Sequence, residues 1–226
     1  MRTQSVVSAP IRRLAFPERY LSRYDHGMDL VQRGARDARR VAVLPAAWNP
    51  PTLAHLALAE AALDFSDEVL LVLPRVFPHK EFDQAGFDLR LDWLRRIASS
   101  RVGLGVGVAE GGLFLEMVRA LRAADPQVEQ VYIVCGRDAA DRFLDWPYDR
   151  GPDSAEQLRE FSLLVAPRGK PFVPNAALRD AIHTLKLDPK LSGISSTEVR
   201  QRIRRGEPWT HLVPNEIAGE VSGTYR

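Results

Sequence analysis

Residues 40–55 read Arg40-Val-Ala-Val-Leu-Pro-Ala-Ala-Trp-Asn-Pro-Pro-Thr-Leu-Ala-His55. The stretch Arg40–Ala46 is a short, nearly continuous apolar run, the pattern of a strand buried on both faces of a parallel sheet. Leu53–Asp64 is rich in Ala and Leu and reads as a helix, with Pro-Pro-Thr ahead of it as a start signal. Strand, short loop, helix is half of a βαβ unit, and the chain repeats it. Glu68–Pro74 (EVLLVLP) predicts a second strand and the stretch near Asp88–Ala98 a helix. Val102–Ala109 predicts a third strand, followed by a helix near Phe114–Ala124; Gln130–Gly136 and Phe161–Pro167 predict a fourth and a fifth. The fold class is therefore α/β, a doubly wound, mostly parallel sheet whose ligand crevice lies at the carboxyl ends of its strands.

Outward from this frame, the 226 residues suffice for one full domain and an appendage. Residues 40–226 are assigned to the domain and 1–39 to an Arg-rich N-terminal extension, helical and docked through Ile11, Leu14, Phe16, Tyr20, Leu21 and Tyr24. Residues 1–40 hold nine arginines against four carboxylates. Such a balance suits a solvated helix face as well as a polyanion, and no specific nucleic-acid partner is expected. The one cysteine, Cys135, sits in an apolar run and is expected to be a buried, inert thiol, which excludes a disulfide framework or a Cys-based metal site. No apolar stretch approaches a membrane span and no signal-peptide core is present, so the expected location is the cytoplasm. Gly103, Gly105 and Gly107 mimic a dinucleotide fingerprint, but position 108 is Val where a third Gly is needed. Their alternation with Val and Leu points instead to close packing on one strand face.

Two stretches carry chemistry. In the first, the helix start after Pro51 offers unpaired N–H groups and a positive dipole end, both suited to phosphate. Thr52 and His55 stand three apart, so both side chains reach one ligand from the first turn. The second is Ile194-Ser195-Ser196-Thr197-Glu198-Val199-Arg200, the start of a helix over Ser195–Arg205. Alone, its Ser-Ser-Thr-Glu reads equally as a helix cap. A last short helix is predicted at Asn215–Val221, with Pro214 in its first turn.

Together the two stretches resemble the paired signatures of the nucleotidylyltransferase superfamily. The first resembles Gly-x-Phe-Asn/Asp-Pro-x-(His/Thr)-x-Gly-His: Asn49, Pro50, Thr52 and His55 match, Trp48 replaces the usual aromatic, and Ala46 and Ala54 stand where glycines are usual. The second resembles Ile-Ser-Ser-Thr-x-Ile-Arg. Within the superfamily the chain looks most like the nicotinate/nicotinamide mononucleotide adenylyltransferases. Phe77-Pro78-His79-Lys80 resembles their Pro-Pro-His-Lys loop, with Arg90 as the arginine that follows; Gly136-Arg137-Asp138 resembles their nucleotide loop; His211–Pro214 echoes their C-terminal end. The resemblance spans about residues 40–220. It departs at Gly112–Met117, where the family usually carries Ser-Tyr-Thr-x-Asp-Thr in a loop that helps recognise the nicotinate-ribose end.

The resemblance implies a Rossmann-like nucleotidylyltransferase fold and adenylyl transfer from ATP to nicotinate or nicotinamide mononucleotide, with release of pyrophosphate. His55, Thr52 and Arg200 would be catalytic. Ala46, Ala47, Trp48, Asn49, His55, Gly136, Asp138, Ile194, Ser195, Ser196, Thr197 and Arg200 would bind ATP, and Lys80 and Trp146 the acceptor. Mg²⁺ would enter on ATP phosphates, without protein ligands. A homo-oligomer fits the family too. Other acceptors such as phosphopantetheine, or a nucleotide-binding regulator that has lost turnover, are the alternative readings. Cytidylyltransferases usually have Arg-Thr-x-Gly before their Ser-Thr-Thr; here Lys190-Leu-Ser-Gly193 lacks that arginine.

Overall fold

The computed structural model describes residues 27–76, 85–148, 151–167 and 172–226. Its strands are β1 (Met28–Gln32), β2 (Arg40–Pro45), β3 (Glu68–Pro74), β4 (Leu104–Ala109), β5 (Gln130–Gly136), β6 (Ser162–Ala166) and β7 (Ile182–Thr184). The helices are α1 (Leu53–Ala62), α2 (Phe87–Ser99), α3 (Phe114–Ala124), α4 (Arg137–Asp145), α5 (Ser154–Gln157), α6 (Pro189–Ser192), α7 (Ser196–Arg205) and α8 (Asn215–Thr224). The strands form one sheet in the order β1-β4-β3-β2-β5-β6-β7. All neighbours pair in parallel except β1, which runs antiparallel to β4. This is the expected α/β, doubly wound class.

The apolar runs explain the layering. Alternate residues of β3 face opposite sides: Val69, Leu71 and Leu73 join one core with Trp93 of α2, Val199 of α7 and Val221 of α8. Leu70 and Val72 join the other with Met117, Val118 and Leu121 of α3 and Phe143 of α4. The chain builds β2, β3 and β4 toward one edge, then crosses back to place β5 on the other side of β2. The order of winding thus reverses between β2 and β5, and the loops leaving their carboxyl ends diverge to opposite faces, which opens a crevice.

Part of the stretch expected to be a helical extension belongs to the sheet. Residues Met28–Gln32 form β1, with Met28 opposite Ala109 and Leu30 opposite Gly107. Alternation of buried and exposed side chains over only five residues makes this an edge strand, too short to stand out in an arginine-rich stretch. The next residues are tied down as well. Arg33 donates from Nε to the fully buried Glu68 carboxylate (2.9 Å) and also bridges to Asp125, while the Gly34 N–H donates to Glu68. Burying a carboxylate is costly unless it is paired and hydrogen-bonded, and these contacts supply the pairing. The remainder of the expected helical extension, residues 1–26, lies outside the described residues.

The glycines of β4 act as spacers rather than as a phosphate loop. A Cβ added at Gly105 would lie 2.5 Å from Glu68 Oε1 and 2.7 Å from the Gln32 carbonyl, so β1 and Glu68 depend on its absence. Gly105→Ala is expected to lower unfolding stability by roughly 1–3 kcal/mol through overpacking. Gly219→Ala, at an exposed position in α8 where a Cβ meets nothing within 4 Å, should raise it by roughly 0.5–1 kcal/mol. Urea midpoints of both variants check the pair.

Candidate active site

The crevice between the carboxyl ends of β2 and β5 holds a cavity of about 180 Å³, lined among others by Ala46, His55, Phe114, Gly136 and Ala139. Its floor is the turn that follows β2. The Ala46 N–H stays in register with β3, donating to the Val72 carbonyl (3.2 Å). Trp48 turns inward, 1% exposed, and its Nε1–H donates to the same carbonyl (2.8 Å). Its φ of 53° is the left-handed conformation, which costs a bulky side chain about 1–3 kcal/mol and persists only where neighbours enforce it. Neither Ala46 nor Ala54 has a positive φ, and Ala54 sits inside α1. The two positions where the superfamily usually has glycine therefore impose no backbone strain.

Thr52, the N-cap of α1, is fully buried. Its backbone N–H donates to His55 Nδ1 (3.1 Å), and its Oγ1 lies 2.8 Å from the same nitrogen. A backbone N–H can only donate, so Nδ1 accepts and the neutral imidazole carries its hydrogen on Nε2. The indole of Trp48 packs against the ring, centroids 5.0 Å apart. His55 is thus held as an oriented Nε2–H donor at the start of a helix.

Helix α7 meets this turn from the side. Ser195 is its N-cap, accepting from the Glu198 N–H (3.1 Å). Ser196 donates from Oγ to the Pro50 carbonyl (2.7 Å), and Arg200 donates to the Asn49 carbonyl and to Thr197 Oγ1 (3.3 Å). Two residues outside the expected set complete the support. Arg90 of α2, itself buried, donates to the Ala47 carbonyl (2.9 Å); burial pulls its pKa below the ordinary arginine value. Tyr225, just past α8, donates to Asn49 Oδ1. Burial pushes its phenol well up, over the opposite pull of Arg200 and Arg90, so the hydroxyl keeps its proton. The resemblance drew notice to Arg90 but gave it no role; no local pattern points to Tyr225.

The structure brings Ala46, Ala47, Trp48, Asn49, Thr52 and His55 together with Ser196 and Arg200. Gly136, the N-cap of α4, joins them on the cavity wall, with Asp138 exposed in the first turn of that helix. The helix was not foreseen, because Gly-Arg-Asp read as a loop. Ile194 packs half-buried against the core, and Thr197 is exposed at the head of α7. Trp146 is 42% exposed at the far end of α4, roughly 15 Å along the helix from Gly136 at 1.5 Å per residue. It is not among the residues lining the cavity. Lys80 lies outside the described residues. Cys135 is buried on the cavity's β5 wall, and burial pushes its thiol up to about 12, which leaves it un-ionised and inert.

Chemically, the starts of α1, α7 and α4 offer N–H groups and positive dipole ends around one crevice, joined by a neutral imidazole, hydroxyls and Arg200. Such a donor set suits a polyphosphate. Among the described residues no three His, Cys, Asp or Glu side chains converge as a metal site.

A family model described as cytidylyltransferase-like matches residues 43–202, from β2 into α7. The chain belongs to that family. It is a nucleotidyltransferase, and "Probable nicotinate-nucleotide adenylyltransferase" is the name of two relatives. That of Thermotoga maritima is 28% identical over 195 residues, 82% of this chain and 92% of the relative. That of Anaeromyxobacter dehalogenans is 31% identical over 199 residues, 83% of this chain and 97% of the relative. The fold is shared with the nicotinic acid mononucleotide adenylyltransferase of Plasmodium falciparum, solved in complex with NaAD. The TM-score is 0.62 at 14% identity, covering 82% of this chain and 98% of that one. Among the described residues no helix is long and apolar enough to cross a membrane.

The hydrogen-bond pattern at His55 sets a spectroscopic expectation. Long-range ¹H–¹⁵N correlation of the neutral imidazole should show Nδ1 unprotonated and Nε2 carrying hydrogen. An Nδ1–H tautomer would contradict the Thr52 contact.

Proposed function

We propose that the crevice transfers AMP from ATP to nicotinate mononucleotide, giving a dinucleotide and pyrophosphate. The observation that carries this reading is the joining of the β2–α1 turn to the head of α7 by Ser196 and Arg200, at the point where the sheet reverses its winding. The names of the two bacterial relatives supply the acceptor.

In this reading the acceptor phosphate, already largely ionised at neutral pH, attacks the α-phosphorus in line and needs no general base. The protein's task is to align two anions and to stabilise charge on the departing pyrophosphate. His55 donates from Nε2 to the triphosphate, Thr52 holds the imidazole, and Ser196, Thr197 and Arg200 face the outer phosphates. Mg²⁺ would enter with ATP and would supply charge neutralisation to the triphosphate, while His55, Ser196, Thr197 and Arg200 would hold the nucleotide that carries it. Gly136 allows close approach of the nucleotide, because a Cβ there has open space around it. Trp146 and Lys80 are assigned to the pyridine end. The location proposed for this reaction is the cytoplasm.

One observation favours keeping a second acceptor in view. Phe114, the first residue of α3 and part of the stretch that departs from the family pattern, lines the cavity with an apolar ring, which would suit a phosphorylated acceptor less polar than a nicotinate riboside. Incubation with Mg-ATP and a panel of nicotinate mononucleotide, nicotinamide mononucleotide and phosphopantetheine decides between them by pyrophosphate release. Nicotinate mononucleotide is expected to react fastest, and ATP binding without pyrophosphate from any acceptor would overturn the enzymatic assignment. His55→Ala should reduce turnover on the order of 10²–10³-fold, the effect of losing one donor to developing charge. Trp146→Ala should raise the acceptor KM while leaving the ATP KM in place; two unchanged constants would make Trp146 a surface residue only.

A further inference from the structure

The turn that carries Thr52 and His55 is held from outside at four oxygens. Arg90 takes the Ala47 carbonyl, Arg200 the Asn49 carbonyl, Ser196 the Pro50 carbonyl, and Tyr225 the Asn49 side-chain oxygen. Between the first two anchors sits Trp48, in the left-handed conformation that a tryptophan does not adopt without enforcement. We propose that Tyr225 is a positioning residue for adenylyl transfer, its hydroxyl fixing Asn49 and, through that turn, the placement of Thr52 and His55. This rests on the nucleotide-site reading above.

Unlike Ser196 and Arg200, Tyr225 has no exposed surface with which to meet the nucleotide. It is 0% exposed, with its ring against Trp93 of α2 at 6.3 Å between centroids. A second tie, Trp93 Nε1–H to Glu220 of α8 (3.1 Å), fixes the helix from which Tyr225 extends. The hydroxyl therefore reaches Asn49 from a rigid base, and it does so as a donor, since burial keeps the phenol protonated. Its partner is an oxygen, so an aspartate at position 49 would accept the same bond, whereas an alanine would not. Any effect of Tyr225 on the reaction must pass through the turn.

Tyr225→Phe removes the hydroxyl and leaves the ring. Well below its melting point, this variant is expected to bind Mg-ATP several-fold more weakly by calorimetry and to turn over about tenfold more slowly, with the acceptor KM within twofold of wild type. The added cost of Tyr225→Phe should persist in an Asn49→Asp background and vanish in Asn49→Ala. A lower melting temperature with unchanged ATP affinity and turnover would make Tyr225 structural only and overturn the proposal. So would an equal cost in the Asn49→Ala background. If Tyr225→Phe does not fold, Asn49→Ala must still fall further than Asn49→Asp, and equal losses overturn the proposal. Wild-type protein that binds ATP but releases no pyrophosphate would sink the acceptor assignment while the affinity comparison still judges Tyr225; wild type that binds no ATP would sink both.

Discussion

Strands β2 to β6 run between two apolar layers, where their backbone polar groups have no water to turn to and must pair within the ladder. Parallel pairing then obliges the chain to return over a face of the sheet after every strand, so the carboxyl ends gather at one rim. At the one place where the direction of winding changes, between β2 and β5, neighbouring loops part. The crevice is thus what remains after burial of the strands has been satisfied. In the proposed reaction the turn that leaves β2 there carries the chemistry.

That turn is an unfavourable piece of backbone kept in place by distant donors. Left to itself, Ala46–Pro51 has a left-handed Trp48 and several carbonyls near a site meant for anions. Arg90, Ser196, Arg200 and Tyr225 cover those carbonyls and the Asn49 side chain from α2, α7 and the residue beyond α8. With oxygens turned to protein donors, the surface left for a ligand is richer in N–H groups. The alanines at positions 46 and 54 add no backbone strain, because the strained residue of the turn is Trp48.

The legible and illegible parts of the sequence divide along physical lines. Buried parallel strands are apolar throughout, so EVLLVLP and VYIVC announce themselves, and the class of fold follows. Helix α7 is legible from the Ser-Ser-Thr-Glu cap that opens it. Strand β1 is not, since five alternating residues at an edge carry little signal, nor is β7, with only three. Helix α4 is hidden because its first turn, Arg137-Asp138, reads as a loop after Gly136. At the site, the residues that touch one another locally, Thr52 and His55, were found from their spacing. Arg90 and Tyr225 act over separations of 43 and 176 residues, and a contact that exists only after folding leaves no periodic trace in the chain.

Strand β1 has one more consequence. It runs opposite to its neighbour, with Met28 beside Ala109 at the carboxyl end of β4. The polypeptide therefore enters the sheet on the rim where the crevice opens, three strands from β2, or roughly 14 Å at the usual strand spacing. The start of β1 and the mouth of the crevice share one side of the sheet. The opposite rim carries Glu68, clamped by Arg33.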